Sequence, residues 1–140
     1  MLTSKIKIKS LLSITLAACT TAIAFQSPTR AENINEILAE ASEMLNQELP
    51  MQIDQDTQWD STFVGPGKMM NYNYTLLNYS VAQLDTNQFS KEFRPVVSNI
   101  LCKEPSSQIF RENDIAFGVN VYDNAHSLVS RITVFPDECQ

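Results

Sequence analysis

One histidine, three cysteines and three glycines are all that 140 residues supply of these types, and each shortage removes a class of function. The lone His126 leaves no set of imidazoles for a zinc site. It sits with Asp123 and Ser127 in "DNAHS", which reads as a hairpin turn, where Asp, Asn, His and Ser are the residues that tolerate turn geometry. A hydrolytic triad draws its members from separate elements, so this trio is expected to be structural. No Cys-x-x-Cys pair is present, and no basic cluster flanks a cysteine, so thiol chemistry has no signature. Asp54-Gln55-Asp56 lacks the remaining positions of a calcium loop, and "VGPGK" lacks the spacing of a phosphate loop. No catalytic residue, metal or cofactor is therefore expected. The few glycines come without any low-complexity run, so a disordered chain is not expected either.

Acids are missing where bases gather. The first nine residues, "MLTSKIKIK", carry Lys5, Lys7 and Lys9 and no acid, and Leu11 to Phe25 carries no charge. That is the n-region and h-region of a secretory signal peptide. The apolar run falls short of the ~20 residues that a spanning helix needs. Three cuts are open. "LAAC" (Leu16 to Cys19) resembles the lipobox of bacterial lipoproteins, where Cys19 would be acylated. Ala22-Ile23-Ala24 is an A-x-A site, and Ala31 ends the polar segment "QSPTRA". The residues after Cys19, "TTAIAF", stay apolar, which favours soluble cleavage after Ala24 or Ala31. The expected organisation is a signal peptide over 1–31 and one domain over 32–140. The protein is then periplasmic or secreted, or alternatively an outer-membrane lipoprotein anchored through Cys19.

Four of the ten bases precede Glu32 and none of the sixteen acids does, so residues 32–140 carry six bases against sixteen acids, a net charge of −10. Such a surface disfavours nucleic acid and anionic lipid. Processing leaves Cys102 and Cys139, an even pair that reads as a disulfide in an exported chain. The loop it closes is worth up to about 4 kcal/mol by chain entropy.

Hydrophobic periodicity supplies the elements. Ile34, Ile37, Leu38, Ala41, Leu45 and Leu49 mark an amphipathic helix that Pro50 ends. The period then changes to two. Met51, Ile53, Thr57, Trp59 and Phe63 fall on one side of a strand interrupted near Asp54-Gln55-Asp56, and Met70, Tyr72, Tyr74 and Leu76 fall on one side of the next. Asp85 to Gln88 resembles a capping box that opens a second helix, in which Pro95 predicts a kink or restart. A short third helix follows Pro105. Ile115, Phe117, Val119 and Val121 alternate in one strand, and Leu128, Ile132 and Val134 in the next. The expected fold is α+β in the order α-β-β-α-α-β-β, a four-stranded antiparallel sheet of two hairpins with helices on one face. Trp59, Tyr72, Phe89, Phe93, Phe117 and Ile132 are expected between sheet and helices. Tyr79 falls on the other side from Tyr72 and is the candidate partner contact.

A helix leading into Leu49-Pro50, a hairpin, a helix ending at Cys102 with Pro105 after it, the strand and turn from Ile115 to Asp123, and a closing Cys139 make up a layout. It resembles the beta-type pilotins of bacterial type II secretion. The resemblance implies a small exported lipoprotein with helices on one face of an antiparallel sheet and a disulfide between the corresponding elements. It also implies a protein partner, since pilotins bind a terminal peptide of the secretin and escort it to the outer membrane. The expected function is a non-enzymatic binding and assembly module of the cell envelope. The alternative is a stand-alone periplasmic protein such as an inhibitor, an immunity protein or another envelope factor.

Overall fold

The computed structural model describes residues 33–139. The expected signal peptide, its cut sites and Cys19 lie outside them. The chain opens with α1 (Ile34–Asn46), capped by Asn33, whose side chain accepts from the Asn35 N–H. Then come β1 (Met51–Gln52), β2 (Thr57–Gly65) and β3 (Met69–Leu76). α2 (Thr86–Lys103) and α3 (Gln108–Glu112) cross back to β4 (Ala116–Tyr122) and β5 (Leu128–Val134).

The α+β class holds, but the sheet does not match the expectation. It has five strands in the order β1-β2-β3-β4-β5 and is mixed, because β3 and β4 run parallel. Both expected hairpins are antiparallel, β2 with β3 and β4 with β5. The parallel joint follows from the connection. Leu77 to Ile115 passes through two helices, and a crossover of that length returns the chain to the end of the sheet where β3 began. The extra strand comes from the Asp54 turn. Asp54 Oδ1 accepts from the N–H groups of Asp56 and Thr57, both at 2.8 Å, and so folds Met51–Gln52 back onto Gln58 and Trp59.

A bulge between Trp59 and Ser61 changes which residues face the helices. Past it, Thr62 and Val64 point to the helices and Phe63 points away, 44% exposed. Strict alternation had placed Phe63 inward, and one inserted residue reverses every side chain that follows. Thr62 then becomes the anchor for α1. Its N–H donates to Asn46 Oδ1 at 2.7 Å, Asn46 Nδ2 donates to the Thr62 carbonyl at 2.9 Å, and the Ser42 and Thr62 hydroxyls meet at 2.8 Å. Below these contacts Leu38 packs on Met70 and Ile115.

α2 runs through Pro95 as one helix, without the restart that was one of the two expectations there. Pro95 and Lys91, the residue whose carbonyl it leaves without a helical donor, both lie on the exposed face, where that oxygen is open to solvent. Asp85 Oδ1 caps the helix at the Gln88 N–H. Val97 and Leu101 are fully buried against Phe117, Val119, Val121, Ile132 and Val134. Cys102 at the end of α2 is bonded to Cys139 beyond β5, Cα atoms 5.1 Å apart. The sheet's second face is polar. Asn73 donates to Ser61, Asn120 to Asn73 and Arg131 to Asn120, a ladder across four strands at 2.9 to 3.0 Å.

Candidate functional site

The two long helices cover one face of the sheet without closing it. Thr62, on the inward side of β2, holds α1, while Ser130 of β5 meets Ser90 of α2 at 2.8 Å. Ala39, Glu43 and Asn46 of α1 border the outer edge of β2 together with Thr62 and Phe63. At 3.6 residues per turn, Ile37, Ala41 and Met44 therefore occupy the opposite flank of α1. Ile37 and Met44 are exposed there, Met44 at 68%.

Between α2, the sheet and the β1–β2 turn lies an apolar cleft of about 350 Å³. Its floor is Tyr74, Leu76, Phe117, Val119 and Val121, and its α2 wall is Phe89, Phe93, Val97 and Ile100. The incomplete cover explains a difference from expectation. Phe117 and Ile132 are buried as expected, whereas Trp59, Tyr72, Phe89 and Phe93 are only half-buried. The aromatics still pack on one another. Trp59 lies 5.8 Å from Tyr72 and 6.2 Å from Tyr74 between ring centroids, and Tyr72 lies 4.7 Å from Phe117. Burial, and secondarily the neighbouring Tyr74, pushes the Tyr72 phenol up to about 12, and burial also raises Tyr74, so neither ionises at neutral pH.

The cleft continues into a wider mouth of about 500 Å³ that shares Asp54, Thr57, Leu76 and Phe89 with it. Gln55, Asp56, Tyr79 and Leu84 complete the mouth. Three turns lock it. The Leu77 N–H donates to the Asp56 carbonyl at 2.7 Å, and Asn78 Nδ2 donates to Asp56 Oδ1 at 2.7 Å. The Asn124 N–H donates to the Tyr79 carbonyl at 3.0 Å, and the Val81 N–H to Asp123 Oδ2 at 2.7 Å. Tyr79, the candidate contact from sequence, stands at this mouth, 40% exposed. Sequence reasoning missed Asp54, Asp56, Phe89 and Ile100 as site residues. Only the interruption at Asp54-Gln55-Asp56 was visible, as a break in a strand.

Asp123, His126 and Ser127 do lie together, within the β4–β5 turn. Asp123 Oδ1 accepts from the N–H groups of Ala125 and Ser127, and the His126 N–H donates to the Asp123 carbonyl. The backbone N–H of Val81, then those of Ser127 and Ala125, and lastly nearby His126, hold the Asp123 carboxyl below its ordinary value. This carboxylate organises two loops through three backbone N–H groups. Among the described residues, no group of three or more His, Cys, Asp or Glu could hold a metal ion. Among them no helix is long and apolar enough to cross a membrane.

A family profile described as "Domain of unknown function (DUF8479)" matches residues 33–129. No curated protein matches the sequence. Solved structures do. A Pseudomonas aeruginosa protein described as secreted superposes with a TM-score of 0.60 at 12% identity, over 79% of this chain and 100% of that one. The pilotin EpsS from the Vibrio vulnificus type 2 secretion system gives 0.58 at 11% identity, over 76% and 92%. The type II secretion pilotin AspS from Vibrio cholerae gives 0.55 at 13% identity, over 76% and 93%. At such identities the likeness is one of fold, and the fold is pilotin-like.

Proposed function

We propose that this chain, which belongs to the DUF8479 family, is an exported, non-enzymatic module of the cell envelope that captures a segment of another protein in the cleft between α2 and the sheet. One observation carries the reading. A fold shared with two secretion pilotins presents a continuous apolar cleft along α2, with Val96 and Ile100 exposed on that helix. A surface of this kind suits a helix-in-groove ligand, whose side chains at i, i+3 and i+4 fill the floor. The aromatics at floor and mouth supply the anchors. Export through the 1–31 leader, or anchorage through an acylated Cys19, would put the module beside envelope partners such as a secretin.

The second reading is a stand-alone periplasmic or secreted protein, favoured by the likeness to the Pseudomonas protein described as secreted. Intact-mass measurement on the protein from its native host separates the two. Acylation at Cys19 supports the escort role, and a free N-terminus after Ala24 or Ala31 supports the soluble one. Capture from envelope extract then tests the partner. Wild type should retain a secretin or another envelope polypeptide and Tyr79→Ala should retain less. Nothing retained above background by the wild type would overturn the assembly reading.

A further inference from the structure

We infer that the cleft selects a peptide whose apolar helical face is flanked at one end by a lysine or arginine, and that Asp54 and Asp56 at the mouth receive that cation. The inference rests on the cleft reading above and adds the chemistry and the direction of the occupant. The floor and the α2 wall offer only hydrocarbon and aromatic surface, so what enters there must be apolar. The chemistry changes at the β1–β2 turn, where Asp54 and Asp56 border the mouth, and among the described residues no Lys, Arg or His lines either part of the cleft.

The chain's own bases are committed elsewhere or face away. Arg94 pairs with Glu138 at 2.7 Å, Arg111 holds the Leu101 and Glu104 carbonyls, Arg131 donates to Asn120, and Lys68 donates to the Asn113 carbonyl. Lys91 and Lys103 are exposed on α2, and neither lines the cleft. The mouth is therefore an uncompensated negative end to an apolar trough, on a domain whose net charge over residues 32–140 is −10. A cation is the complement of that end, and the long-range field would also speed its encounter. The backbone N–H of Asp56, opposed by burial and aided by Thr57, holds the Asp54 carboxyl below its ordinary value, so it stays charged. Direction follows from position. The mouth is bordered by Leu84 and Phe89, at the N-terminal end of α2, so the cationic end of the occupant sits there and its apolar run extends along α2 toward Ile100.

The test is selection from a random peptide display library on the purified protein and on the Asp54→Asn/Asp56→Asn variant. Asparagine keeps the Oδ1 acceptor that each turn uses and removes only the charge. An Ile100→Asp variant serves as a cleft-blocked control, its side chain being a partly exposed part of the wall. Wild type should select peptides with apolar residues at i, i+3 and i+4 and a Lys or Arg beyond one end. The double variant should select the same apolar pattern without the cation, and Ile100→Asp should select neither. One selected peptide, fluorescently labelled, should bind the double variant about two- to fivefold more weakly than wild type, the scale of exposed ion pairs. Its Lys→Gln version should bind both proteins alike, and added salt should close the gap. Apolar peptides selected with no excess of Lys or Arg, or with an equal excess on the double variant, would overturn this inference and leave the cleft reading standing. No peptide selected at all would overturn both.

Discussion

Gly118 of β4 faces Asn71 of the parallel strand β3 on the second face of the sheet, and the two are directly paired. A Cβ built on Gly118 would stand 2.2 Å from Asn71 Oδ1 and 3.0 Å from its Cγ. On the other side, a Cβ on Gly65 of β2 would stand 2.6 Å from Asn71 Nδ2. The amide therefore lies flat across two glycines, one on each neighbouring strand, and it is 7% exposed. Gly118→Ala must drive it off the sheet. Overpacking of this kind costs about 1–3 kcal/mol. Against it, alanine restricts the unfolded chain and recovers about 0.4–1 kcal/mol where the backbone accepts it. The net expectation is a loss of about 1–2 kcal/mol, the clash exceeding the entropic gain. The sign should reverse once the amide is gone. In an Asn71→Ala background, Gly118→Ala should stabilise by about 0.5–1 kcal/mol, a coupling of the size seen between touching residues. The assay is urea unfolding of all four proteins with the disulfide intact, read from midpoints at constant slope. A neutral or stabilising Gly118→Ala in the wild-type background would refute the argument, because it would mean the amide does not rest on Gly118.

Other expectations follow from the disulfide, the buried carboxylate and the aromatics. Reducing Cys102–Cys139, or replacing both with Ser, should lower stability by up to about 4 kcal/mol, seen as a large drop in melting temperature with reductant. Asp123 is held below its unfolded value near 3.8, so its contribution is complete above that pH and is lost as the pH falls through the folded value. Asp123→Asn should lower the melting temperature at neutral pH and flatten the acid limb of the stability profile, and an unchanged acid limb would contradict the assignment. Tyr79→Ala should weaken capture of an envelope partner with the melting temperature unchanged. Tyr72→Ala, which removes the ring packed at a tilt against Phe117, should lower it.

Periodicity in the sequence was enough for the helices, for four of the five strands and for their hairpin pairing. These are local properties: Ile34 to Leu45 repeats at helical spacing, and Tyr72, Tyr74 and Leu76 alternate. The pairing of Cys102 with Cys139 was legible for a different reason, since the expected processing at the N-terminus sets Cys19 aside and leaves an even pair. Strand direction at the middle of the sheet was not legible. It depends on where the α2–α3 crossover lands, which is a matter of packing over a connection of many residues. The exposure of Phe63 was hidden too, because nothing in "WDST" distinguishes a bulge from regular alternation, and a single extra residue reverses the faces. The cleft was beyond the sequence for the same kind of reason. Phe89, Phe93 and Tyr74 carry the pattern of core residues, and their apolar character is the same whether a helix or open space lies above them. Only the seating of α2 on Ser130 leaves Tyr74, Leu76 and Val121 uncovered beside it and turns part of the core into a lining. The mouth likewise exists because three turns, at Asp54, Asn78 and Asp123, are tied together by hydrogen bonds between residues as many as 45 positions apart (Tyr79 and Asn124), contacts that only the tertiary structure brings into being.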